Sequence, residues 1–261
     1  MPELPEVEAY RRVAEAALHR PLAHVDAPDA WFLKGGLDAS TVADALVGRS
    51  FVASRRIGKV LLLDTSEGGP VLGLRFGMTG RLLVDGRAGV HQLAYASARD
   101  DTRWDRFGVR FEDGGDVRLR DPRRLGGVLL DLDEAKLGTD VVNLTPAGLR
   151  HALGTSVISL KARLMDQARL AGVGNLTADE VLWRAGLDPR RAARSLSPAE
   201  VRRLHRHLRR TVADLVDRGG SHTGDLMAAR VPGGICPRDG IPLSRATVGG
   251  RTTWWCPQHQ R

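Results

Sequence analysis

At 261 residues the chain can hold two domains with cores of their own, and 42% hydrophobic with 27% charged residues fits a soluble globular protein. No apolar run approaches membrane-spanning length and the N-terminus lacks the basic and apolar pattern of a secretory leader, so a cytoplasmic protein without a membrane partner is expected. A formal net charge of +8 and a pI near 10.4 point to an acidic partner, nucleic acid first among them, although solubility alone accounts for a modest positive charge.

The chain opens Met1-Pro2-Glu3-Leu4-Pro5-Glu6-Val7-Glu8. Removal of the initiator methionine leaves Pro2 as a secondary amine, which can attack a sugar carbon and form an iminium. The plainer reading is that Pro2-Glu3 starts a helix, since proline suits the first turn and acids suit its positive end. Val7, Tyr10, Ala14, Ala17 and Leu18 supply the apolar stripe of that helix. The amine has a reference pKa of about 8; the helix dipole favours its neutral form, while Glu3 and Glu6 push the other way.

Residues 50–65, 70–84 and 107–119 then read as strands, with a buried run at Val60 to Leu63 and a hairpin turn at Glu112-Asp113-Gly114-Gly115. From about Leu137 the pattern is helical. Thr145-Pro146 starts one helix, residues 157–167 read as another, and Asn175 or Thr177 starts a third that ends near Gly186. The longest begins at the capping sequence Ser197-Pro198-Ala199-Glu200 and stops near Gly219-Gly220. Val201, Leu204, Leu208, Val212 and Leu215 give its core face, and Arg202, Arg203, Arg206, Arg209 and Arg210 lie outside, either solvated or facing DNA. A small module rich in Gly, Pro and Cys follows Ala228, so the expected domains are 1–134, 135–227 and 228–261.

Only Lys34, Lys59, Lys136 and Lys161 are lysine among 39 basic residues. Coding bias explains part of this, but a lysine retained inside a motif suggests a need for a compact or titratable cation. Lys59 closes Arg55-Arg56-Ile57-Gly58-Lys59, and Lys161 lies in Leu160-Lys161-Ala162-Arg163-Leu164-Met165-Asp166. Two loops present an apolar or basic tip: Phe76-Gly77-Met78-Thr79-Gly80 and Asp121-Pro122-Arg123-Arg124-Leu125-Gly126. Either alone is an ordinary strand connection. Leu170-Ala171-Gly172-Val173-Gly174-Asn175-Leu176 sets a Gly-x-Gly pair before a helix start, by itself a weak signal of a phosphate-binding turn. The tail holds Cys236 and Cys256 in a C-x2-D-x16-C-x2-H pattern. Cys236, Asp239, Cys256 and His259 are therefore a chemically possible zinc site, with a metal-free hairpin held by Ile241, Trp254 and Trp255, or a disulfide, as the alternatives.

The opening MPELPEVE, the two loops, GVGN and the tail together resemble the formamidopyrimidine-DNA glycosylase and endonuclease VIII family of DNA repair enzymes along the whole chain. The resemblance implies an α+β protein: an N-terminal helix and β-sandwich domain, a helix-two-turns-helix domain, and a C-terminal β-hairpin zinc finger. It implies a monomeric bifunctional DNA glycosylase and abasic-site lyase of base excision repair, acting on damaged double-stranded DNA in the bacterial nucleoid. Pro2, Glu3 and Lys59 are then catalytic, with Glu6 orienting the terminus. Met78, Arg123 and Leu125 fill the gap left by the flipped nucleotide, and Arg124, Lys161, Asn175 and Arg251 are the further DNA-binding residues. Leu125 stands where the family often has phenylalanine. Asp239 and His259 stand where family fingers have cysteine, so Zn2+ is expected as a structural ion in a degenerate finger. The segment from Gly220 to Cys236 is shorter than in the 8-oxoguanine branch, which favours oxidised pyrimidines, ring-opened purines or bulky lesions. Two other readings keep the scaffold: a damage-recognising DNA-binding protein without activity, and an abasic-site lyase without base selection.

Overall fold

Helix α1 (Leu4–Ala14) starts with Pro5 in its first turn and the Glu3 N–H donating to Glu6 Oε2 at 2.8 Å, and it buries Leu4, Val7, Tyr10 and Ala14. The structure, a computed structural model, describes residues 2–90, 93, 99 and 101–261, so the expected removal of Met1 concerns a residue outside those described. The chain divides into two compact units, Met1–Glu134 and Ala135–Arg261.

In the first unit, β1 (Leu22–Asp26) and α2 (Ala39–Leu46) precede three segments expected as strands, each of which resolves into two. Residues 50–65 become β2 (Phe51–Ile57) and β3 (Val60–Thr65), because Gly58-Lys59 breaks the apolar run with a two-residue turn. Residues 70–84 become β4 (Leu72–Arg75) and β5 (Arg81–Val84), and the short β6 (Arg87–Ala88) follows. The third segment becomes β7 (Asp105–Phe111) and β8 (Asp116–Arg120) around the expected turn, and β9 (Gly127–Leu130) ends the series. The strands make two antiparallel sheets, β2-β3-β4-β9 and β1-β7-β8-β5-β6. Leu61, Leu74 and Val128 of one sheet share a core with Leu82, Val109 and Leu119 of the other and with Tyr10 of α1, which makes the unit a β-sandwich. Burying a side chain such as Phe107 there contributes about 1.5–3 kcal/mol.

In the second unit, β10 (Thr139–Asp140) leads to α3 (Pro146–Leu153), whose cap Thr145 accepts from Gly148 N at 3.0 Å. Helix α4 (Leu160–Leu164) is shorter than the expected 157–167, because Ser159 caps it while Leu160 N and Lys161 N bond to Arg191 O and Pro189 O outside the helix. Strand β11 (Leu170–Ala171) pairs parallel with β10. Helix α5 (Asn175–Ala185) runs from Gly174 to a left-handed Gly186, and α6 (Pro198–Asp217) begins with the Ser197/Glu200 capping box. The hairpin of β12 (Ser244–Val248) and β13 (Arg251–Trp255) turns at Gly249-Gly250, both at positive φ as a two-residue turn demands. No helix among the described residues is long and apolar enough to cross a membrane.

Candidate active site and DNA interface

Pro2, Glu3 and Glu6 are all buried at the entry to α1. Glu6 holds the Glu3 backbone, which fixes the direction in which the terminus leaves the helix. One turn on, the Tyr10 hydroxyl donates to Gly80 O at 3.0 Å and its ring lies 4.5 Å from that of Phe76. Burial first, and the Glu6 carboxylate second, push the Tyr10 phenol upward in pKa, so it stays a neutral donor. Helix α1 is thereby fastened to the loop that carries Met78.

Helix α1 packs on β2 and β3, and Lys59 occupies the turn between those strands. Gly58 has φ +57°, the glycine-first pattern of a tight hairpin turn. Arg56 braces this turn from both sides, donating through Nη1 to Gly58 O at 2.9 Å and through Nε to Glu8 Oε2 at 3.2 Å. Terminus and lysine thus sit on one rigid mount.

The two loops bearing Met78, Arg123 and Leu125 are neighbours. Met78 is half-buried, Arg123 is exposed and Leu125 is 51% exposed. A Cβ on Gly77 would lie 2.4 Å from the Leu125 carbonyl carbon, so only glycine lets the backbones approach this closely. Beneath both loops lies Asp121, at 0% exposure. Its Oδ1 accepts from Thr79 Oγ1 at 2.5 Å and Arg123 N at 3.2 Å, and its Oδ2 accepts from Leu125 N and Gly126 N, both at 2.8 Å. Arg124, expected as a DNA-binding residue, is engaged within the first unit. Its backbone is left-handed, at φ +56°, and its guanidinium makes two 2.6 Å bonds to Asp29, holding that carboxyl below its usual range. Arg124 is a brace for the turn.

Lys161, also expected among the DNA-binding residues, is held inside the second unit. Its side chain is fully buried, with Nζ 2.7 Å from Asp179 Oδ1 and donating to Thr253 Oγ1 at 2.8 Å and Thr252 O at 3.2 Å. Asp179 also takes Arg230 Nη2 at 2.8 Å and Trp254 N at 3.3 Å. A lysine in that position ties α4 and α5 to β13. Asn175 opens α5 at its positive end, and its Oδ1 is buried without a hydrogen-bond partner among the described residues. Arg251 is exposed at the start of β13.

The four tail residues converge. Their ligand atoms lie within 4.8 Å of one another, with Asp239 Oδ2 at 3.6 Å from Cys236 Sγ and 3.0 Å from Cys256 Sγ, and against His259 Nδ1. Tetrahedral zinc with S, N and O ligands places those atoms about 3.3–3.8 Å apart. His259 Nε2 lies 3.1 Å from Trp183 O, to which it donates, so Nδ1 presents its lone pair to the cluster. Trp183 Nε1 points at Cys236 Sγ from 3.3 Å. Burial and then Asp239 raise the Cys256 thiol to about 11. The residues fit a zinc ion, and the sulfurs stand free of one another as thiols.

Asp121, Thr79, Asp29 and Asp179 escaped the sequence reading. Asp121-Pro122 carries a turn signal, since aspartate side chains bond the backbone two residues on, but nothing local marks the other three.

A β-sandwich led by a proline-rich helix start, followed by a helix-two-turns-helix unit ending in a metal-capable hairpin, defines a DNA-glycosylase class of protein. Residues 1–128 match the formamidopyrimidine-DNA glycosylase N-terminal domain and residues 139–226 the formamidopyrimidine-DNA glycosylase H2TH domain. The chain belongs to the formamidopyrimidine-DNA glycosylase family. It is 34% identical to the formamidopyrimidine-DNA glycosylase of Burkholderia ambifaria over the whole of both proteins, and 32% identical to that of Carboxydothermus hydrogenoformans over the same span. Among solved structures it is similar to Lactococcus lactis Fpg bound to DNA containing N7-benzyl-Fapy-dG, at 25% identity and TM-score 0.82 over 100% of both chains. The same Fpg with an oxidised pyrimidine in its DNA gives 25% and 0.83, again over 100% of both.

Proposed function

We propose that the protein is a bifunctional DNA glycosylase and abasic-site lyase of damaged duplex DNA that works through an iminium on Pro2. The observation that carries this reading is the buried Pro2-Glu3 start, held by Glu6, on a helix that Arg56 ties to the Lys59 turn through Glu8. With Met1 removed, the Pro2 nitrogen bonds to the sugar C1′ as the base departs with the glycosidic electron pair and a proton. Glu3 protonates the ring oxygen as the sugar opens, and the nitrogen lone pair forms the iminium. Loss of the C2′ proton then expels the 3′ phosphate, and a second elimination expels the 5′ phosphate with Lys59 as the assisting cation. A protein that only bound damage would need none of these three identities.

Met78, Arg123 and Leu125 serve as the wedge that occupies the stack when the nucleotide flips, and Asn175 and Arg251 as phosphate contacts. Cys236, Asp239, Cys256 and His259 would hold zinc, which would be structural there and keep the Arg251 hairpin in place. The preferred lesions are oxidised pyrimidines and ring-opened or bulky purines. Glu180 accepts from Asp225 N at 3.1 Å and Leu226 N at 2.9 Å, and Leu226 is fully buried, so the short segment is packed on α5 and leaves little chain for a base-capping loop. The Lactococcus lactis relative's DNA complexes hold lesions of both kinds. A monomeric cytoplasmic enzyme working on nucleoid DNA completes the reading.

The test is a panel of duplexes each carrying one lesion, with base release and strand scission measured separately. Glu3→Gln should slow base release far more than scission of a preformed abasic site, and Lys59→Ala should act mainly on scission. Equal losses in both steps for both variants would contradict the assignment, and scission without any base release would reduce the protein to a lyase.

A further inference from the structure

We infer that Asp121 is the positioning residue that couples the two wedge loops, with Thr79 as its link to the first of them; this rests on the reading of Met78, Arg123 and Leu125 as the wedge. The carboxylate divides its four bonds unequally between the loops. Three go to backbone amides of its own turn, at Arg123, Leu125 and Gly126, and fix the direction in which Arg123 and Leu125 leave it. The fourth, from Thr79 Oγ1, is the side-chain bond that joins this turn to the residue beside Met78.

A single buried anion thereby sets the spacing of three tips that must enter one base-pair gap together. Hydrogen bonds to an ionised acceptor are the stronger kind, and a fully buried one lacks water as a competing donor. The next residue down the chain from Thr79 is also fixed, since Gly80 O accepts from Tyr10 on the helix that carries Pro2. The wedge loops and the nucleophile's helix therefore share one frame inside the first unit, so that filling the stack and presenting the amine are geometrically linked. This explains why a turn with a left-handed, non-glycine Arg124 is held by two separate aspartates: local strain of that kind persists only where the surroundings over-determine it.

Thr79→Val tests the claim, because it keeps the shape and removes the hydroxyl. Its kcat/KM on a lesion in duplex DNA should fall about tenfold, the size of one hydrogen bond to a charged group, while the rate on the same lesion in single-stranded DNA stays within about twofold. Thr79→Ser should restore the duplex rate. Met78→Ala and Leu125→Ala are measured in parallel. If these two lower the duplex-to-single-strand ratio and Thr79→Val leaves it unchanged, the coupling is wrong and the wedge stands. If neither wedge variant lowers the ratio, the wedge reading and the coupling fall together. A Thr79→Val protein that loses both rates alike, or that Thr79→Ser fails to rescue, assigns Asp121 to general stability and overturns the proposal.

Discussion

Substituting Lys161 separates a buried structural cation from a DNA contact. The ammonium and the Asp179 carboxylate are both at 0% side-chain exposure and 2.7 Å apart, and Arg230, at 6%, shares the carboxylate at 2.8 Å. Burial pushes the Asp179 carboxyl up in pKa against the pull of Lys161 and Arg230, so desolvation outweighs the attraction of both cations. Such a pair adds little over an apolar replacement of both partners, yet breaking it from one side costs about 3–5 kcal/mol. Lys161→Met also takes the donor from Thr253 Oγ1 and Thr252 O in the hairpin. We expect it to destabilise the second unit by about 3 kcal/mol, and Asp179→Asn to cost at least as much because it leaves two cations without the acceptor they share. The double variant should cost less than the sum of the singles, by about 1–2 kcal/mol, as contacting residues do. Urea unfolding followed by tryptophan fluorescence gives these numbers, since Trp183, Trp254 and Trp255 all lie in this unit. A Lys161→Met protein with wild-type stability and a salt dependence of DNA binding reduced by about one counterion would refute the reasoning and return Lys161 to the phosphate-contacting set.

Metal analysis of protein purified without added zinc should find near one zinc per chain, and Cys256→Ser should lose it; metal-free protein that keeps full Arg251-dependent binding would show that the tryptophans hold the hairpin alone. Arg251→Ala should retain the metal yet weaken DNA binding and flatten its salt dependence, because one fewer counterion is released. Glu200 is held at about 2, first by Arg191, so its folded pKa lies below the ordinary carboxylate value of 4.5. The stability it adds is therefore present above about pH 5 and lost as pH falls through the range down to its folded pKa. Glu200→Gln should cost about 1 kcal/mol at pH 7, the scale of a cap and a partly exposed ion pair, and the difference from wild type should shrink as pH falls below about 5 toward its folded pKa. A difference that grows on acidification would contradict the sign.

The parts legible in the sequence are those fixed within one turn of chain. The Ser197-Pro198-Ala199-Glu200 start of α6, the Thr145 cap of α3 and the glycine end of α5 each depend on bonds between residues no more than five apart. The strand expected over 50–65 shows where this fails: Gly58-Lys59 interrupts the apolar run for only two residues, and the pairing of Ile57 with Val60 makes that interruption a hairpin. The surroundings of Lys161 are illegible for a related reason. Its neighbours describe a short surface-like helix, while its burial is set by Asp179 on α5 and by Thr252 and Thr253, about ninety residues downstream. Asp121 has a local turn signal, but its partner Thr79 is 42 residues away, so the link between the two loops exists only once the sheets have formed. The four residues that could hold a metal are readable because both halves of the pattern are short and the hairpin brings them together.

The most direct test of the account is borohydride reduction in the presence of abasic-site duplex. The iminium should be trapped as a stable protein–DNA adduct, and peptide mapping should place it on the nitrogen of Pro2, with Pro2→Gly or retention of Met1 suppressing it. An adduct of equal yield on a lysine when Pro2 is blocked would contradict the central claim.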